Sequence, residues 1–508
     1  MTRIQAGLAD LPDHVDVVVI GLGVTGAGIA LDAVSRGLSV LAVDAHDLAF
    51  GTSRWSSKLV HGGLRYLAHG QLAVAHESAV ERGILMGTTA PHLTRPLPML
   101  LPLASSVPRL NGVLARAGME GGNLLRVAAR TPAGILPRPR RISAVEARHL
   151  IPALRPEGLR GAIVSWDGQL EDDARLVTTI ARTAAEAGAH IRTRARAVRA
   201  TGDTVVLADA SGEEFEVSTR STINATGVWA DQLDDSIRLR PSRGTHLVLR
   251  AGTLPGIAHA VTAPVPGELA RYVLVLPQPD GTIYVGLTDE PVTGPVPDVP
   301  EPTEPEIGFL LDVIGAAFTH SVRREDVVGA FAGLRPLLDS VVGAEDVTAD
   351  ISRKHAVLTA DSGLVTVVGG KLTTYRQMAE DAVDAALAVS GQQAGPCVTA
   401  TLPLSGAASR PRLARLTDHP RLVRRFGTDA ALVLETARRV SGLSDEELLA
   451  PIGEELPATL AELIFGVTHE GASDVADLLD RRTRIGLIPA DRDLAVDQAE
   501  RALEIAGR

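Results

Sequence analysis

The fold is decided by residues 16–67, which read DVVVIGLGVTGAGIALDAVSRGLSVLAVDAHDLAFGTSRWSSKLVHGGLRYL. This stretch contains, in order, a strand pattern at residues 17–20, the glycine turn Gly21-x-Gly23-x-x-Gly26, a helix pattern at residues 27–36, a second strand pattern at residues 38–43, and Asp44. The order of strand, glycine turn, helix, strand and acid predicts a βαβ unit.

This βαβ unit has the chemistry of a dinucleotide-binding site. Gly21 permits the tight turn, Gly23 lets the backbone approach a pyrophosphate, and Gly26 lets the helix pack closely on the strand. The helix N-terminus offers free N–H groups to the diphosphate. Asp44 is placed to accept hydrogen bonds from a ribose hydroxyl, which disfavours a nucleotide with a 2′-phosphate. Because the chain has 49 glycines, the glycine turn alone is weak evidence for nucleotide binding. Its context of strand, helix, strand and acid favours dinucleotide binding over an ordinary βαβ turn.

Composition limits the classes of protein and of partner. A chain of 508 residues with 45% hydrophobic and 22% charged residues is globular and long enough for two or three domains. Its net charge of −11 argues against nucleic acid as a partner. The single cysteine, Cys397, excludes an internal disulfide and a four-thiolate metal site and fits a reducing cytoplasm. We expect no metal site, no secretory signal and no spanning helix.

One apolar segment leaves two interpretations open. Residues 99–136 are apolar with scattered arginines. They form either a hydrophobic hairpin or helix pair packed on the core, or a surface that touches lipid, with Arg109, Arg116, Arg126 and Arg130 beside apolar residues. The core interpretation is favoured on sequence alone.

Further segments indicate secondary structure along the chain. Residues 166–169 are expected to be a turn and residues 172–187 a helix. Strand patterns at residues 204–208, 272–276 and 282–286, separated by turn residues, are typical of antiparallel sheet. From residue 403 onward the chain is rich in arginine and in helix patterns.

Several motifs in a fixed order resemble the FAD-dependent glycerol-3-phosphate dehydrogenases. They are GTS, HGGLRYL, DGQ with DDARL, NATGVW, SRGTH, GLRP, SRKH and GGKLTTYRQMAED, and together with the glycine turn they extend from residue 16 to residue 381. The departures are modest: Asp44 stands where Glu is common, Trp166 where Tyr or Phe is usual, and Leu287 where Thr is common.

The resemblance implies an α/β fold. It comprises an FAD-binding two-dinucleotide-fold domain of the glutathione-reductase/D-amino-acid-oxidase type, an antiparallel-sheet substrate domain and a C-terminal helical domain. The implied division is a lead-in at residues 1–15, the FAD-binding domain at 16–105, 160–235 and 350–388, the substrate-binding domain and insertions at 106–159 and 236–349, and the helical cap at 389–508.

The resemblance also implies the site residues. The catalytic residues would be His246, Arg335, Lys371 and Arg65, with Tyr66 lining the substrate site. His246 is the candidate base because an imidazole titrates near working pH. The cofactor-binding residues would be Gly21, Gly23, Gly26, Asp44, Thr52, Ser53, Lys58, His61, Gly62, Gly63, Gly227, Trp229, Gly370, Lys371, Leu372 and Thr373.

The function that this resemblance implies is oxidation of sn-glycerol 3-phosphate to dihydroxyacetone phosphate, with non-covalent FAD as hydride acceptor and a membrane quinone as electron acceptor. Peripheral contact with the inner face of the cytoplasmic membrane and a homodimer are further expectations. Two alternatives stay open: an oxidase of the same fold that uses O₂, and a flavin-binding regulatory protein without turnover. An NAD-dependent dehydrogenase is disfavoured, because the NATG segment at residues 224–227 returns to the nucleotide as in FAD proteins.

Overall fold

The computed structural model describes residues 4–63, 71–104, 109–268, 271–341 and 355–507, and at residues 109–117 and 340–341 it describes the backbone alone. The predicted site residues Arg65 and Tyr66 lie outside the described residues, as do residues 352–354 of the SRKH motif.

The strands, numbered in chain order, are β1 Ile4–Ala6, β2 His14–Ile20, β3 Val40–Val43, β4 Leu59–Val60, β5 Thr94–Pro102, β6 Arg140–Ile142, β7 Ala162–Leu170, β8 His190–Thr193, β9 Arg196–Ala200, β10 Thr204–Ala208, β11 Glu214–Asn224, β12 Ile237–Leu239, β13 Ser242–Arg250, β14 Ala260–Pro264, β15 Tyr272–Pro277, β16 Thr282–Gly286, β17 Glu290–Pro291, β18 Val327–Arg335, β19 Leu338–Val341, β20 Ala356–Thr359, β21 Val365–Val368, β22 Pro451–Gly453 and β23 Leu456–Thr459. The α-helices are Val24–Ser35, Leu72–Ile84, Arg109–Ala128, Ala144–Leu150, Asp173–Glu186, Glu304–Ala317, Tyr375–Ser390, Arg410–Leu413, Pro420–Phe426, Ala430–Ser441, Asp445–Leu449, Leu460–Glu470 and Pro489–Ile505.

The first sheet has the predicted βαβ unit at its centre. Its parallel strands lie in the order β1, β8, β3, β2, β11, β21, and β11 continues into the antiparallel meander β9–β10–β11. The helices Val24–Ser35, Asp173–Glu186 and Tyr375–Ser390 supply much of the apolar core that packs on this sheet. This arrangement brings the ends of β2, β3 and β11 together at one edge, where a ligand of a parallel sheet binds.

The second sheet is long and largely antiparallel. Its strands lie in the order β17, β13, β16, β15, β14, β5, β7, β4, with β18 also pairing with β13 and β6 with β7. Strands β5 and β7 fall within segments that the resemblance assigns to the FAD-binding domain, yet they pair in this sheet over nine residues each. That pairing also corrects the predicted turn at residues 166–169, because these residues belong to β7 and lie opposite β5.

The C-terminal part is helical and has its own core. Its helices, from Pro420–Phe426 to Pro489–Ile505, bury a cluster that includes Phe426, Leu463 and Phe465. Buried ion pairs connect this cluster to the first sheet and its helices. Arg482 reaches Asp47 at 2.8 Å, Arg175 reaches Glu470 at 2.6 Å, and Arg425 reaches Asp172 at 3.2 Å.

No helix within the described ranges is long and apolar enough to cross a membrane. In the same residues, no group of three His, Cys, Asp or Glu side chains converges as a metal site.

Candidate active site

The glycine turn has the close contacts that its sequence predicts. Gly21 has a φ of +99°, and a Cβ there would lie 2.6 Å from the Ala225 carbonyl oxygen. A Cβ on Gly26 would lie 1.8 Å from the Gly21 carbonyl oxygen, so the helix Val24–Ser35 approaches the turn at a distance that only glycine allows. The sheet edge at β2 and β11 therefore presents backbone, rather than side chains, to a nucleotide.

Asp44 directly follows β3, and two backbone N–H groups hold its carboxylate in place. Its Oδ2 accepts the Leu22 N–H at 2.7 Å and its Oδ1 accepts the His46 N–H at 2.8 Å. Burial raises the pKa of Asp44 to about 6, against the lowering effect of the two N–H groups. The carboxylate thus stands beside the glycine turn.

The GTS segment joins this turn to the second sheet. The Ser53 hydroxyl accepts the Val24 N–H at 2.8 Å, at the first turn of the helix that faces the nucleotide edge. The Thr52 hydroxyl donates to the Leu334 carbonyl at 2.6 Å, next to Arg335 in β18. Thr52 and Ser53 consequently connect the first turn of the helix Val24–Ser35 to β18 of the second sheet.

Lys58 is fully buried and has a carboxylate partner. Its ammonium donates to the Arg54 carbonyl at 2.7 Å and to Asp173 at 2.9 Å. The N–H and hydroxyl of Ser56 donate to the same Asp173 oxygen. Burial lowers the pKa of Lys58, whereas Asp173 opposes that shift. Lys58 therefore fixes the loop that carries Ser57.

His246 is the best-defined group of the site. Its Nε2 lies 2.8 Å from the Ser57 hydroxyl oxygen, and its ring stacks on Phe331 at a centroid distance of 4.8 Å. Gly286 on β16 leaves room for the ring, since a Cβ there would lie 2.3 Å from the His246 Cδ2. Nδ1 is buried and has no hydrogen-bond partner among the described residues.

The ring of His246 is neutral. Burial lowers its pKa to about 3, and the charges of Lys58 and Arg335 act in the same direction. The structure corrects the expectation that this imidazole titrates near working pH: its ring is neutral and can accept a proton, but burial weakens it as a base.

Arg335 lies on the strand that pairs with the strand of His246. Its guanidinium donates to Asp289 at 2.7 Å and to the Ser242 hydroxyl at 3.1 Å. The register pairs Ser242 with Arg335 and His246 with Phe331 on β13 and β18. Gly244 makes room for the guanidinium, since a Cβ there would lie 2.9 Å from Arg335 Nη2. The imidazole and the guanidinium thus belong to one face of the second sheet.

The segment 61–63 meets the segment 370–373. The His61 N–H donates to the Thr373 hydroxyl at 3.1 Å, and the His61 ring contacts Asp167 at 2.8 Å. Arg82 also donates to Asp167. Burial alone would raise the pKa of Asp167, but Arg82 and His61 outweigh this effect and lower the pKa to about 2. This arrangement brings together the predicted residues His61 and Thr373. Gly62 follows His61, and its N–H also donates to Asp167.

Lys371 stands at the start of the turn Leu372–Thr374, which leads into the helix Tyr375–Ser390. Its ammonium donates to the Ser78 hydroxyl at 2.6 Å. Burial lowers the pKa of Lys371 to about 8, although Glu77 opposes the shift. Gly370 has a φ of +74°, and a Cβ there would lie 2.4 Å from Met378 Sδ. The Lys371 ammonium therefore loses its proton, and with it its charge, close to neutral pH.

Three further predicted residues lie in conformations that need glycine or pack on it. Gly227 has a φ of +63° with open space around its Cα, and Gly63 has a φ of +76°. A Cβ on Gly51 would lie 2.9 Å from the Trp229 ring, so this indole covers the start of the GTS segment.

These residues fit an FAD molecule. The glycine cradle and Asp44 suit its diphosphate and ribose, Gly227 leaves open space beside them, and His246 keeps a buried nitrogen vacant. Sequence reasoning misses the groups that hold these residues. The sequence indicates Asp173 as a favourable charge at a helix N-terminus and as part of the DDARL motif but does not indicate that it binds Lys58, and no local pattern indicates Ser57, Ser78 or Phe331.

Comparison with known proteins gives the family. The family described as "FAD dependent oxidoreductase" matches residues 16–376, and "C-terminal domain of alpha-glycerophosphate oxidase" matches residues 397–508. "Glycerol-3-phosphate dehydrogenase 1" of Mycobacterium tuberculosis is 50% identical, over 99% of this chain and 97% of that protein. The mitochondrial glycerol-3-phosphate dehydrogenase of Arabidopsis thaliana is 35% identical, over 98% of this chain and 83% of that protein.

A solved structure is similar over nearly the whole chain. The glycerol-3-phosphate dehydrogenase of Bacillus halodurans, solved in complex with FAD, superposes with a TM-score of 0.73 at 27% identity. The match covers 97% of this chain and 92% of that one. The predicted fold class and the predicted cofactor class are confirmed by these matches.

Proposed function

The chain belongs to the family of FAD-dependent glycerol-3-phosphate dehydrogenases, and we propose that it oxidises sn-glycerol 3-phosphate to dihydroxyacetone phosphate with FAD as hydride acceptor. The names of the relatives supply the substrate, and the site residues supply the chemistry. A secondary alcohol must lose its hydroxyl proton while a hydride leaves C2, so the site needs a base, an anion-binding group and a bound acceptor.

The cofactor would be held along the edge of the first sheet. Gly21, Gly23 and Gly26 would face its diphosphate and Asp44 its ribose, and Gly227 and Trp229 would face the same edge from the turn that follows β11. When bound, FAD supplies the hydride acceptor at N5. The backbone N–H groups that follow Gly370 would stabilise negative charge at the flavin N1–C2=O, because they begin a helix.

His246 would take the hydroxyl proton. Its buried, neutral ring is held by the Ser57 hydroxyl and stacked on Phe331, and its Nδ1 has no hydrogen-bond partner among the described residues. This geometry is the single observation that carries the assignment of the base. Arg335 and Lys371, with Arg65 and Tyr66 from the HGGLRYL motif, would bind and orient the dianionic phosphate, because a guanidinium fork and an ammonium suit phosphate oxygens.

The role of His246 is tested by the rate of flavin reduction. His246→Gln keeps the hydrogen-bonding capacity of the side chain but removes its basicity. We expect the anaerobic rate of bleaching by glycerol 3-phosphate to fall about 10²–10⁴-fold, with the FAD content of the purified protein unchanged. A variant that reduces its flavin at the wild-type rate would remove His246 from the mechanism.

The electron acceptor distinguishes two forms of this function. The named relatives are dehydrogenases, which favours a membrane quinone. The C-terminal match is named after an oxidase, which favours O₂. We propose the quinone. Reduced enzyme mixed in parallel with air-saturated buffer and with a soluble quinone should be reoxidised faster by the quinone, and faster reoxidation by O₂ would identify an oxidase.

An enzyme that passes electrons to a membrane quinone must reach the membrane surface. On the helix Arg109–Ala128, Leu124 is 69% exposed and Val127 is 53% exposed, three residues apart and so on one face. We propose that this face lies on the inner leaflet of the cytoplasmic membrane. Leu124→Glu should reduce cosedimentation with anionic vesicles, whereas the exposed apolar residue Val145 offers a control as Val145→Glu. A homodimer stays a prediction, and sedimentation velocity tests it.

A further inference from the structure

A cavity of about 210 Å³ lies where the C-terminal helical part meets the second sheet. We call it the junction cavity. Its polar lining residues are His92, Arg95 and Glu171 on the sheet side and Arg410 and Arg424 on the C-terminal side. None of these residues belongs to the face that carries His246 and Arg335.

The junction cavity has an excess of positive charge. Three guanidiniums and one carboxylate line it, which leaves a net charge of +2. Arg424 is 3.6 Å from Glu171, at the long end of an ion pair. Throughout the described ranges, neither Arg95 nor Arg410 has a carboxylate within 4.0 Å. Instead Arg95 donates to the Gln169 amide oxygen, and Arg410 donates to the carbonyls of Met86 and Thr94.

Burial makes this charge costly. Burial lowers the pKa of Arg95 and that of Arg410, and only for Arg95 do nearby carboxylates, Glu171 and Asp280, oppose the shift. Arg95 and Arg410 are both half-buried, and a guanidinium that loses part of its hydration regains only part of it from neutral carbonyl and amide oxygens. The Nε of Arg410 is buried and has no hydrogen-bond partner in the described part of the chain.

His92 supplies a second vacant donor. It is 8% exposed, and both of its ring nitrogens are buried without a hydrogen-bond partner among residues that the structure describes. Burial lowers the pKa of His92 to about 3, with Arg175 and Arg182 acting in the same direction. The ring is therefore neutral and has one N–H to donate and one nitrogen to accept. His92 thus lines the junction cavity with a ring whose two nitrogens are buried and make no hydrogen bond to the described residues.

We propose that the junction cavity binds a phosphate monoester dianion with a short carbon skeleton. The net charge of +2 on the lining residues favours a dianion, and guanidinium forks suit the several oxygens of a phosphate. The apolar side chains of Leu93, Leu413 and Val423 supply a wall for the carbon atoms. Because the two sides of the cavity come from different parts of the fold, the ligand also connects the C-terminal part to the second sheet.

The test measures binding of inorganic phosphate to the FAD-loaded protein by equilibrium dialysis. Arg424→Gln is the main variant, because this side chain is 43% exposed and its removal leaves the fold intact. Arg410→Gln is the second. Arg412→Gln is the matched control, on the same short helix but exposed and outside the lining. Arg335→Gln removes phosphate binding at the substrate site.

We expect a phosphate-binding component that weakens at least tenfold in Arg424→Gln and Arg410→Gln and persists in Arg412→Gln and Arg335→Gln. Acetate, a monoanion, should not compete for it. Equal binding in Arg424→Gln and Arg412→Gln, or equal competition by acetate, would overturn the proposal. Bleaching of the flavin by glycerol 3-phosphate should continue in Arg424→Gln, so that failure of this proposal is distinct from failure of the proposed function.

Discussion

At the scale of single residues, burial lowers the pKa of His246 and that of Lys371 to different extents. It lowers the pKa of His246 to about 3, which keeps the ring neutral at every pH where the fold is expected to persist. It lowers the pKa of Lys371 to about 8, which leaves the ammonium charged at neutral pH but not much above it. The basic limb of the pH profile should therefore come from Lys371.

The pH dependence of catalysis follows from the charge of Lys371. Below pH 8 the protonated amine attracts the phosphate of the substrate, and above pH 8 this attraction is lost as the amine deprotonates. We expect kcat/KM for glycerol 3-phosphate to decline above about pH 8, by up to about tenfold per pH unit, because kcat/KM reports groups of the free enzyme. Initial rates from about pH 6 to about pH 10 with a soluble acceptor measure it.

Lys371→Arg is the matched variant for this profile. A guanidinium keeps its charge throughout this range, so the basic limb should disappear or move upward even if the overall rate falls. A limb that stays near pH 8 in Lys371→Arg would assign it to another group.

At the scale of elements, the sequence predicts the βαβ unit because its signals are local. The apolar runs, the glycine turn and the acid all lie within residues 16–44, and the observed helix Val24–Ser35 and strands β2 and β3 follow them. The sequence does not predict β5, because Pro96 and Pro98 are typical of loops. Among the described residues, β14 pairs with β5 only at Met99 and Leu100, so both prolines lie where β5 has one neighbouring strand and tolerates a missing N–H.

The separation of partner residues along the chain also explains which parts of the site the sequence does not predict. The family motifs give the residue numbers of His246, Lys58 and Lys371. Their partners are Ser57, Asp173 and Ser78, which lie between 115 and 293 residues away along the chain. Contacts of that range depend on how the two sheets pack, and no local pattern encodes them.

Gly26 tests the packing of the glycine turn. A methyl group there would lie 1.8 Å from the Gly21 carbonyl oxygen, which is backbone and cannot move aside cheaply. We expect Gly26→Ala to purify with little or no FAD, measured as the ratio of flavin to protein absorbance. Gly315→Ala is the control, because Gly315 lies in the helix Glu304–Ala317, where an added Cβ would meet no described heavy atom within 4 Å. Normal FAD content in Gly26→Ala would contradict the cradle.

At the scale of the whole molecule, buried ion pairs hold the C-terminal part against the first sheet. The clearest centres on Asp47, three residues after Asp44. Arg481 reaches it at 2.6 Å, and Arg482 donates to both of its oxygens at 2.8 and 2.9 Å. All three side chains are buried. The loop that follows β3 is thus fixed by residues 434 and 435 positions later in the chain.

Asp47→Asn tests this connection. It leaves the buried Arg482 without its paired carboxylate and leaves Arg481 with Asp477 alone, so we expect the free energy of unfolding to fall by about 3–5 kcal/mol, measured by urea denaturation of the FAD-loaded protein. Arg199→Gln removes an ion pair with Glu214 in which both side chains are exposed, and the unfolding midpoint of that control should stay unchanged. Equal effects of the two substitutions would show that burial does not make the Asp47 pair special.

Oxidation of glycerol 3-phosphate by bound FAD is tested most directly by one anaerobic measurement. The purified protein should show a flavin band near about 450 nm, a property of the cofactor, and glycerol 3-phosphate should bleach that band without any other reductant. Protein that lacks flavin would contradict this function, and flavin that stays oxidised in excess glycerol 3-phosphate would contradict it and favour a flavin-binding protein without this turnover.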